Sequence, residues 1–265
     1  MRDHIVEVIR AIENDYEVKI LFACESGSRA WGFPSKDSDY DVRFIYIHKP
    51  TWYLSIDPKR DVIELPGKDS ISIPVHPLLD ISGWELTKAL RLYRKSNPAL
   101  FEWLRSSIVY YESHSIMEKM NALDQKIFSP ASCLYHYLNM AKKNFHTYLQ
   151  GNEVQLKKYF YVLRPILAAK WIEKYSAIPP VEIQALVEDI ILPGEVKESI
   201  IALINRKISG EKGKFDLKVE VINEYILKEI EHIEEFTKGV TKFIPDPTKE
   251  LNKFFRNSLD EVWAK

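Results

Sequence analysis

Cysteine is scarce in this chain, and long apolar runs are missing from it. The two cysteines, Cys24 and Cys133, lie in no CxxC motif and no Cys/His cluster. This argues against a disulfide framework and a structural zinc site, and it fits a reducing cytoplasm. No apolar run approaches the roughly 18 residues that a membrane span requires, and the N-terminus lacks the apolar core of a signal peptide. We therefore expect a soluble, cytoplasmic protein without a membrane partner.

Charge of one sign is not in excess either. The 265 residues carry 37 Lys and Arg against 38 Asp and Glu, a formal net charge of −1 at pH 7. The chain as a whole then has no field that would attract nucleic acid or an acidic membrane. Any contact with nucleic acid needs a local basic patch.

The N-terminal part has the pattern of an α/β domain. Apolar residues at helical spacing predict a first amphipathic helix (Ile5, Val8, Ile9 and Ile12). Two runs rich in apolar and β-branched residues, 18–24 and 39–47, predict strands, and the turn-like segment 25–38 separates them. "DVIEL" and "SISIPVHPLLDI" suggest further strands, although two prolines keep part of the second run at an edge or outside the ladder.

After Gly83 the pattern changes to helical spacing, and no strand-like pattern occurs beyond residue 130. A long aromatic helix, "EVQLKKYFYVLRPILAAKWIEKY", contains Pro165, where we expect a kink. The sequence therefore predicts an α/β domain over residues 1–112 and an all-helical domain over residues 113–265.

Polar residues follow the first predicted strand and begin the second. "ESGSRAWGFPSKDSDYDVR" contains Gly27 and Ser28, then Asp39 and Asp41. Side chains alternate along a strand, so both aspartates point to one face, where two like charges repel unless a cation joins them. Carboxylate oxygens suit Mg²⁺, and a second ion can lie ~3.5–4 Å from the first in phosphoryl-transfer sites. Glycine and serine at a strand end let a phosphate approach backbone N–H groups and a hydroxyl. The stretch therefore predicts a site for a nucleoside triphosphate and two Mg²⁺ ions.

G-S, a ten-residue gap and D-x-D before an apolar strand resemble the DNA polymerase β-like nucleotidyltransferase superfamily. With "LDISGWELTKALRLYRKSNPALFEWL" and "LKKYFYVLRPILA", the chain is most similar to the RNA repair pathway polymerase-β-like family, the YcgL-type predicted nucleotidyltransferases, over roughly residues 20–180. The resemblance implies an α+β fold, in which a mixed-sheet nucleotidyltransferase domain precedes an all-helical domain. It also implies that the D-x-D at Asp39 and Asp41 binds metal together with a third carboxylate from a neighbouring strand.

For the third carboxylate we favour Asp80, as a metal ligand and as the group that accepts the proton of the acceptor hydroxyl. Asp57, Asp61 and Glu64 are the less favoured candidates. Asp80 also has an alternative role, as a strand-end cap for the following helix.

Arg43, Asp37 and the D-x-D itself each have more than one interpretation. Arg43 continues the face of Asp39 and Asp41, where it either neutralises them structurally or contacts the triphosphate. Asp37 shares the same alternation, but we interpret it as a turn residue. A D-x-D taken alone can also be two solvated loop carboxylates.

A basic and aromatic helix face completes the predicted site. Lys157, Tyr161 and Arg164 lie at i, i+4 and i+7 and share one face, and Lys158 is adjacent. We expect this face to close the cleft opposite the aspartates, with the three cations on phosphates and the tyrosine against a base. The alternative is a solvated face over an aromatic core.

These patterns predict a Mg²⁺-dependent nucleotidyltransferase. An acceptor hydroxyl would attack the α-phosphorus of a nucleoside triphosphate such as ATP, with Gly27 and Ser28 on the β- and γ-phosphates, and pyrophosphate would leave. The acceptor is an RNA 3′ end, a protein side chain or a small molecule. Two alternatives are a non-catalytic protein that binds a nucleotide or partner on the same fold, and an antitoxin-like enzyme that nucleotidylates a partner protein.

Overall fold

The computed structural model describes residues 1–151, 153–210, 216–217, 219–240 and 246–264. In its N-terminal part, strands alternate with helices: α1 (Arg2–Asp15), β1 (Lys19–Glu25), α2 (Gly27–Ala30), β2 (Tyr40–Ile47), a 3-10 helix (Pro50–Leu54), β3 (Val62–Leu65), β4 (Leu79–Glu85), α3 (Leu86–Arg94), α4 (Pro98–Leu104) and β5 (Val109–Glu112). Helices dominate the rest: α5 (Ile116–Asn121), α6 (Asp124–Ile127), α7 (Pro130–Tyr148), α8 (Leu156–Tyr175), α9 (Ile183–Ile190), α10 (Glu195–Ser209), α11 (Glu220–Gly239) and α12 (Thr248–Trp263), with two short strands, β6 (Glu153–Val154) and β7 (Asp216–Leu217).

The N-terminal strands form a mixed sheet in the order β3-β4-β2-β1-β5. Strands β2 and β4 are parallel, whereas the other neighbours are antiparallel. The apolar run predicted as a buried strand is β1, whose residues from Ile20 to Glu25 are all buried. A strand that is covered on both faces needs such a continuous apolar run. The mixed sheet followed by helices confirms the predicted α+β class.

Helices cover both faces of this sheet. The predicted apolar face of α1 is buried against one face (Ile5, Val8, Ile9 and Ile12). The opposite face packs against α3, α4, α5, α6 and α12. Helix α4 begins as the sequence indicates, since the Asn97 side chain accepts a hydrogen bond from the Leu100 N–H at 3.3 Å and Pro98 takes the first helical position.

Helices α7 to α11 form a third hydrophobic core, which is separate from the two cores on the faces of the sheet. Helix α8 is continuous through Pro165. A proline cannot donate the helical hydrogen bond to the carbonyl four residues earlier, which here belongs to Tyr161. The Asn144 side chain on α7 donates to that carbonyl instead, at 2.8 Å.

Two predictions about the organisation of the chain differ from the structure. The C-terminal part is not entirely helical, because β6 and β7 form a two-residue antiparallel pair. The run "SISIPVHPLLDI" lies outside the ladder until β4 begins at Leu79, as expected from its two prolines, which cannot donate ladder hydrogen bonds. The boundary at residue 112 does not match the division of the cores, since α5, α6 and α12 pack on the sheet. Among the described helices, none is long and apolar enough to cross a membrane.

Candidate functional site

Strand β1 and the start of β2 bring Gly27 against Asp41. Ser26 N–H donates to the Asp41 carbonyl at 2.8 Å, and Asp41 N–H donates to the Glu25 carboxylate at 2.7 Å. Helix α2 begins at Gly27, whose φ of +57° lies in the left-handed region that favours glycine. A β-carbon at this position would lie 2.0 Å from Asp41 Oδ2. The Gly-Ser and the D-x-D, which are apart in the sequence, are therefore in direct contact.

Asp41 and Asp80 lie opposite each other in the register of the parallel pair β2–β4. Paired residues of adjacent strands share a face of the sheet, so the two carboxylates stand side by side. Burial raises the pKa of the Asp41 carboxyl; the Arg43 charge opposes this effect, and the charges of Asp80 and Asp39 add to it. The aspartates thus form a site that favours a cation.

Arg43 supplies a cation to both carboxylates. Its Nη2 atom lies 2.8 Å from Asp80 Oδ2 and 3.4 Å from Asp41 Oδ1, and its Nη1 atom donates to the Asp80 carbonyl at 3.1 Å. These contacts agree with the first interpretation of Arg43, in which its charge neutralises the aspartates.

Asp39 precedes β2 and is exposed. Its backbone is fixed by Arg29, whose Nε donates to the Asp39 carbonyl at 3.1 Å and whose Nη2 donates to the Ser38 carbonyl at 2.8 Å. The same guanidinium stacks on the Tyr40 ring, 3.8 Å from its centroid. Arg29 therefore fixes the chain where the predicted metal-binding strand begins.

Two of the other carboxylates considered for this site form ion pairs elsewhere. Asp61 pairs with Lys88 and Arg91, and Glu64 pairs with Arg60. Asp57 lies in an exposed segment before β3, and Asp37 lies in a turn, as predicted. Asp80 does not cap the following helix: the Glu85 side chain accepts the hydrogen bond from the Thr87 N–H at 2.7 Å and so caps α3.

Tyr161, on the face of α8 predicted to oppose the aspartates, packs edge-on against Trp31, with ring centroids 6.4 Å apart. Burial raises the pKa of the Tyr161 hydroxyl, and the charges of Asp41, Tyr148 and Asp39 raise it further. Lys158 lies over two tyrosine rings, 3.8 Å from the centroid of Tyr148 and 5.0 Å from that of Tyr161. Lys157 is exposed.

The prediction that Arg164 binds phosphate is contradicted by its position. The side chain is 1% exposed, forms an ion pair with Glu102 and donates from Nε to the Val181 carbonyl at 3.3 Å. Its guanidinium also lies 5.0 Å from the centroid of the Trp31 ring. Helical spacing placed Arg164 on the face of Lys157 and Tyr161, but α8 is buried on nearly all sides near its middle, and the side chain pairs with Glu102 of α4.

The segment between α2 and β2 is attached to the helical domain. The Phe33 ring stacks on Phe160 with centroids 4.4 Å apart, and Gln184 donates to the Gly32 carbonyl at 2.8 Å. Because this segment leads directly into the D-x-D, α8 and α9 help to set where the aspartates lie.

Two residues of the site were missed in the sequence. The buried Glu25 accepts from Asp41 N–H and from the Tyr110 hydroxyl; burial raises the pKa of its carboxyl. Its place directly before the S-G-S stretch was the available signal. Lys207, in the last turn of α10, donates to Ser35 Oγ at 3.0 Å, and no local pattern in the sequence marks it.

The donor atoms at this site suit magnesium. Asp39, Asp41 and Asp80 offer carboxylate oxygens, which are the ligands that Mg²⁺ prefers. As they stand, however, no three acidic, histidine or cysteine side chains in the described part of the chain are grouped closely enough to hold an ion. Asp80 is paired with Arg43 instead. The donor chemistry therefore fits the metal, and Arg43 is its competitor.

Known proteins resemble the chain along most of its length. A family model, described as the RNA repair pathway DNA polymerase beta family, matches residues 1–257. The chain is 50% identical over 263 residues to the uncharacterized protein YcgL of Bacillus subtilis (strain 168), which covers 99% of this chain and 98% of that protein. A solved nucleotidyltransferase-like protein from Exiguobacterium sibiricum 255-15 matches 88% of this chain and 74% of its own, with 11% identity and a TM-score of 0.32, too low for an argument from its fold.

Proposed function

The chain belongs to the RNA repair pathway DNA polymerase beta family, and from that membership we propose that it transfers a nucleoside monophosphate from a nucleoside triphosphate to a hydroxyl acceptor. Pyrophosphate is the other product. Membership alone supports a nucleotidyltransferase-type role. The more specific proposal, transfer of a nucleoside monophosphate to a hydroxyl, rests on the residues of the site.

The pairing of Asp41 with Asp80 in one register is the observation that carries the proposal. Burial and the acidic neighbours keep the pKa of the Asp41 carboxyl raised despite the charge of Arg43, so two carboxylates on one face are an unfavourable arrangement for stability alone. Such arrangements occur where a cation and an anionic substrate are handled. The bare backbone of Gly27 packs directly against the Asp41 carboxylate, so the Gly-Ser turn and the aspartate belong to one site.

Each residue has a role in this proposal. Asp39 and Asp41, with Asp80 as the third ligand, would hold Mg²⁺. Bound Mg²⁺ would supply positive charge to the phosphoryl oxygens as negative charge develops on them. Gly27 lets the phosphates approach the backbone, and the Ser28 hydroxyl donates to them. Asp80, whose side chain is 52% exposed, accepts the proton of the acceptor hydroxyl.

Residues on the helical side would orient the nucleotide. Tyr161 offers a ring for the base, and Lys158, which lies 5.0 Å from the centroid of that ring, and Lys157 offer charge for phosphates. Arg43 would leave Asp80 when the metal arrives and could then contact the triphosphate. Arg164 has no part in binding, because it is buried and paired.

The acceptor is the open part of the proposal. The family's description names an RNA repair pathway, so an RNA 3′-hydroxyl is the acceptor to test first, before a protein side chain or a small molecule. The test is incubation of the protein with α-labelled triphosphates, Mg²⁺ and either RNA or a cell extract. Label in RNA, protein or a small product, together with released pyrophosphate, is the expected result.

Two controls make this test specific. Asp41→Asn should abolish incorporation, whereas Lys126→Ala, on α6, should leave it unchanged. Equal incorporation by wild type and Asp41→Asn would mean that the label comes from a contaminant and not from this site.

Arg43 favours a second candidate function. Because its guanidinium already pairs with Asp41 and Asp80, the chain could bind a nucleotide without transferring it. Calorimetry distinguishes the two functions: ATP binding with Mg²⁺, but no pyrophosphate from any acceptor, would favour the non-catalytic protein. An antitoxin-like nucleotidylation would instead put label on one partner protein.

A further inference from the structure

Glu25, the last residue of β1, is fully buried and binds the backbone of Asp41. Its Oε1 atom accepts the Asp41 N–H at 2.7 Å, and its Oε2 atom accepts the Tyr110 hydroxyl of β5. The next residue, Ser26, donates its N–H to the Asp41 carbonyl at 2.8 Å. Two consecutive residues therefore bind both backbone polar groups of Asp41.

The hydrogen bond from Asp41 N–H takes the place of a backbone bond between β2 and β1. Tyr40 N–H donates to the Leu78 carbonyl at 2.7 Å, on the side of β4. Successive N–H groups of a pleated strand point to opposite neighbours, so the Asp41 N–H points to β1. Its acceptor there is the side chain of Glu25 and not a backbone carbonyl. The position of Asp41 thus depends on which side chain stands at residue 25.

The backbone of Glu25 is itself fixed by the segment that leads into β5. Its N–H donates to the Ile108 carbonyl at 2.8 Å, and its carbonyl accepts the hydroxyl of the buried Ser106 at 2.7 Å. Together with the Tyr110 hydroxyl, these bonds hold the glutamate on both its backbone and its side chain. Glu25 can therefore hold Asp41 in one position.

Glu85 shows what a buried carboxylate with the same kinds of partners does elsewhere in the sheet. It is also fully buried, and it accepts the Thr87 N–H at 2.7 Å and the Tyr53 hydroxyl at 2.6 Å. There the N–H belongs to the first turn of α3, so the carboxylate caps a helix. Burial of a carboxylate is costly, and at Glu25 the bond made in return is to the strand that carries Asp41.

We propose that Glu25 is a positioning residue, which holds the Asp41 carboxylate where the metal binds through its hydrogen bond to the Asp41 N–H. This rests on the proposed function in one respect, that Asp41 binds Mg²⁺. Groups that hold a metal ligand from outside the coordination sphere orient it, and their loss typically weakens metal binding or activity by about 10–100-fold. Because Glu25 acts as an acceptor, an amide oxygen at this position should serve nearly as well.

Binding of Mn²⁺, which replaces Mg²⁺ and is followed by electron paramagnetic resonance, tests this role on the full chain without a transfer reaction. Glu25→Leu should weaken Mn²⁺ binding by about 10–100-fold. Glu25→Gln should stay within about threefold of wild type, because an amide oxygen accepts the same N–H somewhat less strongly than a carboxylate. Tyr110→Phe removes one of the two hydrogen bonds to the carboxylate and should weaken Mn²⁺ binding by about two- to tenfold.

Glu85→Leu is the matched control, because it removes a buried carboxylate with a backbone N–H and a tyrosine hydroxyl as partners. It lies five positions along β4 from Asp80, a separation on the order of 16 Å at the rise of a strand. The variant should melt at a lower temperature than wild type. Below that temperature its affinity for Mn²⁺ should change by less than about twofold.

Thermal melts show which variants are folded. A folded Glu25→Leu with the Mn²⁺ affinity of wild type would overturn the positioning role; if that variant does not fold, unchanged affinity in Tyr110→Phe would overturn it. Glu25→Gln as weak as Glu25→Leu would overturn it in favour of a carboxylate that binds the metal directly, and a wild type that binds no Mn²⁺ would overturn it as well. Mn²⁺ affinity that depends on Glu25, without nucleotidyl transfer by wild type, would sustain this inference while the proposed activity fails. Transfer that folded Glu25→Leu retains in full would sustain the proposed activity and overturn this inference.

Discussion

Asp41 leaves no room for a side chain on Gly27, because a β-carbon there would lie 2.0 Å from Asp41 Oδ2. The φ of +57° adds a second restriction at the same residue, since the left-handed region costs other residues roughly 1–2 kcal/mol. Glycine at position 27 therefore allows the Asp41 carboxylate to lie where it does, and any larger residue would displace that carboxylate.

Gly27→Ala should then abolish nucleotidyl transfer at a modest cost in stability. We expect unfolding to become easier by about 1–3 kcal/mol, from backbone strain and the displaced carboxylate, with activity lost well below the melting temperature. Gly239→Ala is the control, because nothing lies within 4 Å of its added β-carbon. Full activity in folded Gly27→Ala would show that the position of Asp41 is not critical.

Asp41→Asn should separate a catalytic aspartate from a structural one. Burial, opposed by Arg43 and reinforced by Asp80 and Asp39, raises the pKa of this carboxyl, so its charge is unfavourable in the folded protein. The amide should therefore keep the melting temperature or raise it, by on the order of 2 °C, while transfer falls below detection. Melts without and with Mg²⁺ and ATP, beside the transfer assay, provide both measurements.

Asp61→Asn is the matched comparison. Burial would raise the pKa of Asp61, but the hydrogen bond and charge of Lys88, together with Arg91, lower it. This carboxylate stabilises the fold, so its amide should melt lower and retain activity. If Asp41→Asn behaves in the same way as Asp61→Asn, Asp41 is a structural residue.

The family and the local elements of this site could be predicted from sequence, and the resemblance to the polymerase β-like family is confirmed. Alternation placed Asp39 and Asp41 at the start of a strand, and β2 begins at Tyr40. The apolar run predicted the buried strand β1. These features depend on a few neighbouring residues, which is why short patterns reveal them.

The long-range features could not be predicted in this way. Asp80 was the favoured third carboxylate, but its position directly opposite Asp41 depends on a parallel register between two distant strands, which the residues around either aspartate do not specify. Arg164 shares a helical face with Lys157, but whether that face meets a cleft or a core depends on the packing of Glu102 from α4. Likewise, no pattern in the sequence indicates that α12 packs against the core of the sheet.

His48 should make the stability of the protein depend on pH below neutrality. Burial, with a contribution from the Lys59 charge, lowers the pKa of its imidazole from 6.5 to about 4. Between these values the unfolded chain binds a proton that the folded chain does not, so stability falls as the pH falls from about 6.5 to 4. The free energy of unfolding should fall by at most about 1.4 kcal/mol per pH unit, and by roughly half of that because the ring is partly exposed.

His48→Phe should remove this part of the pH dependence. The ring stacks on Trp52 with centroids 4.1 Å apart, a contact that phenylalanine preserves. Urea denaturation between pH 8 and 4.5 measures the free energy of unfolding of wild type and variant. The stability of the variant relative to wild type should increase as the pH falls. A difference that stays constant over this range would show that His48 titrates alike in both states.

Arg164→Met should destabilise the protein by about 3–5 kcal/mol, the usual cost of removing one member of a buried ion pair. The guanidinium is 1% exposed and pairs with Glu102, whose carboxylate also accepts from Trp31 Nε1 at 3.2 Å and from the Tyr137 hydroxyl at 3.1 Å. Without the arginine, that carboxylate is left in a largely buried site with two neutral donors and no cation. Urea denaturation at pH 7 measures the loss.

The double variant Arg164→Met, Glu102→Gln tests the reason for that loss. Because the uncompensated charge is the main cost, neutralising Glu102 should recover part of the stability, so the double variant should unfold less easily than Arg164→Met alone. Lys158→Met is the control on the same helix: it loses only contacts with two rings, worth about 0.5–1 kcal/mol at an exposed site. If Arg164→Met instead keeps its stability and loses affinity for ATP, then Arg164 reaches the nucleotide and the buried pair is not its role.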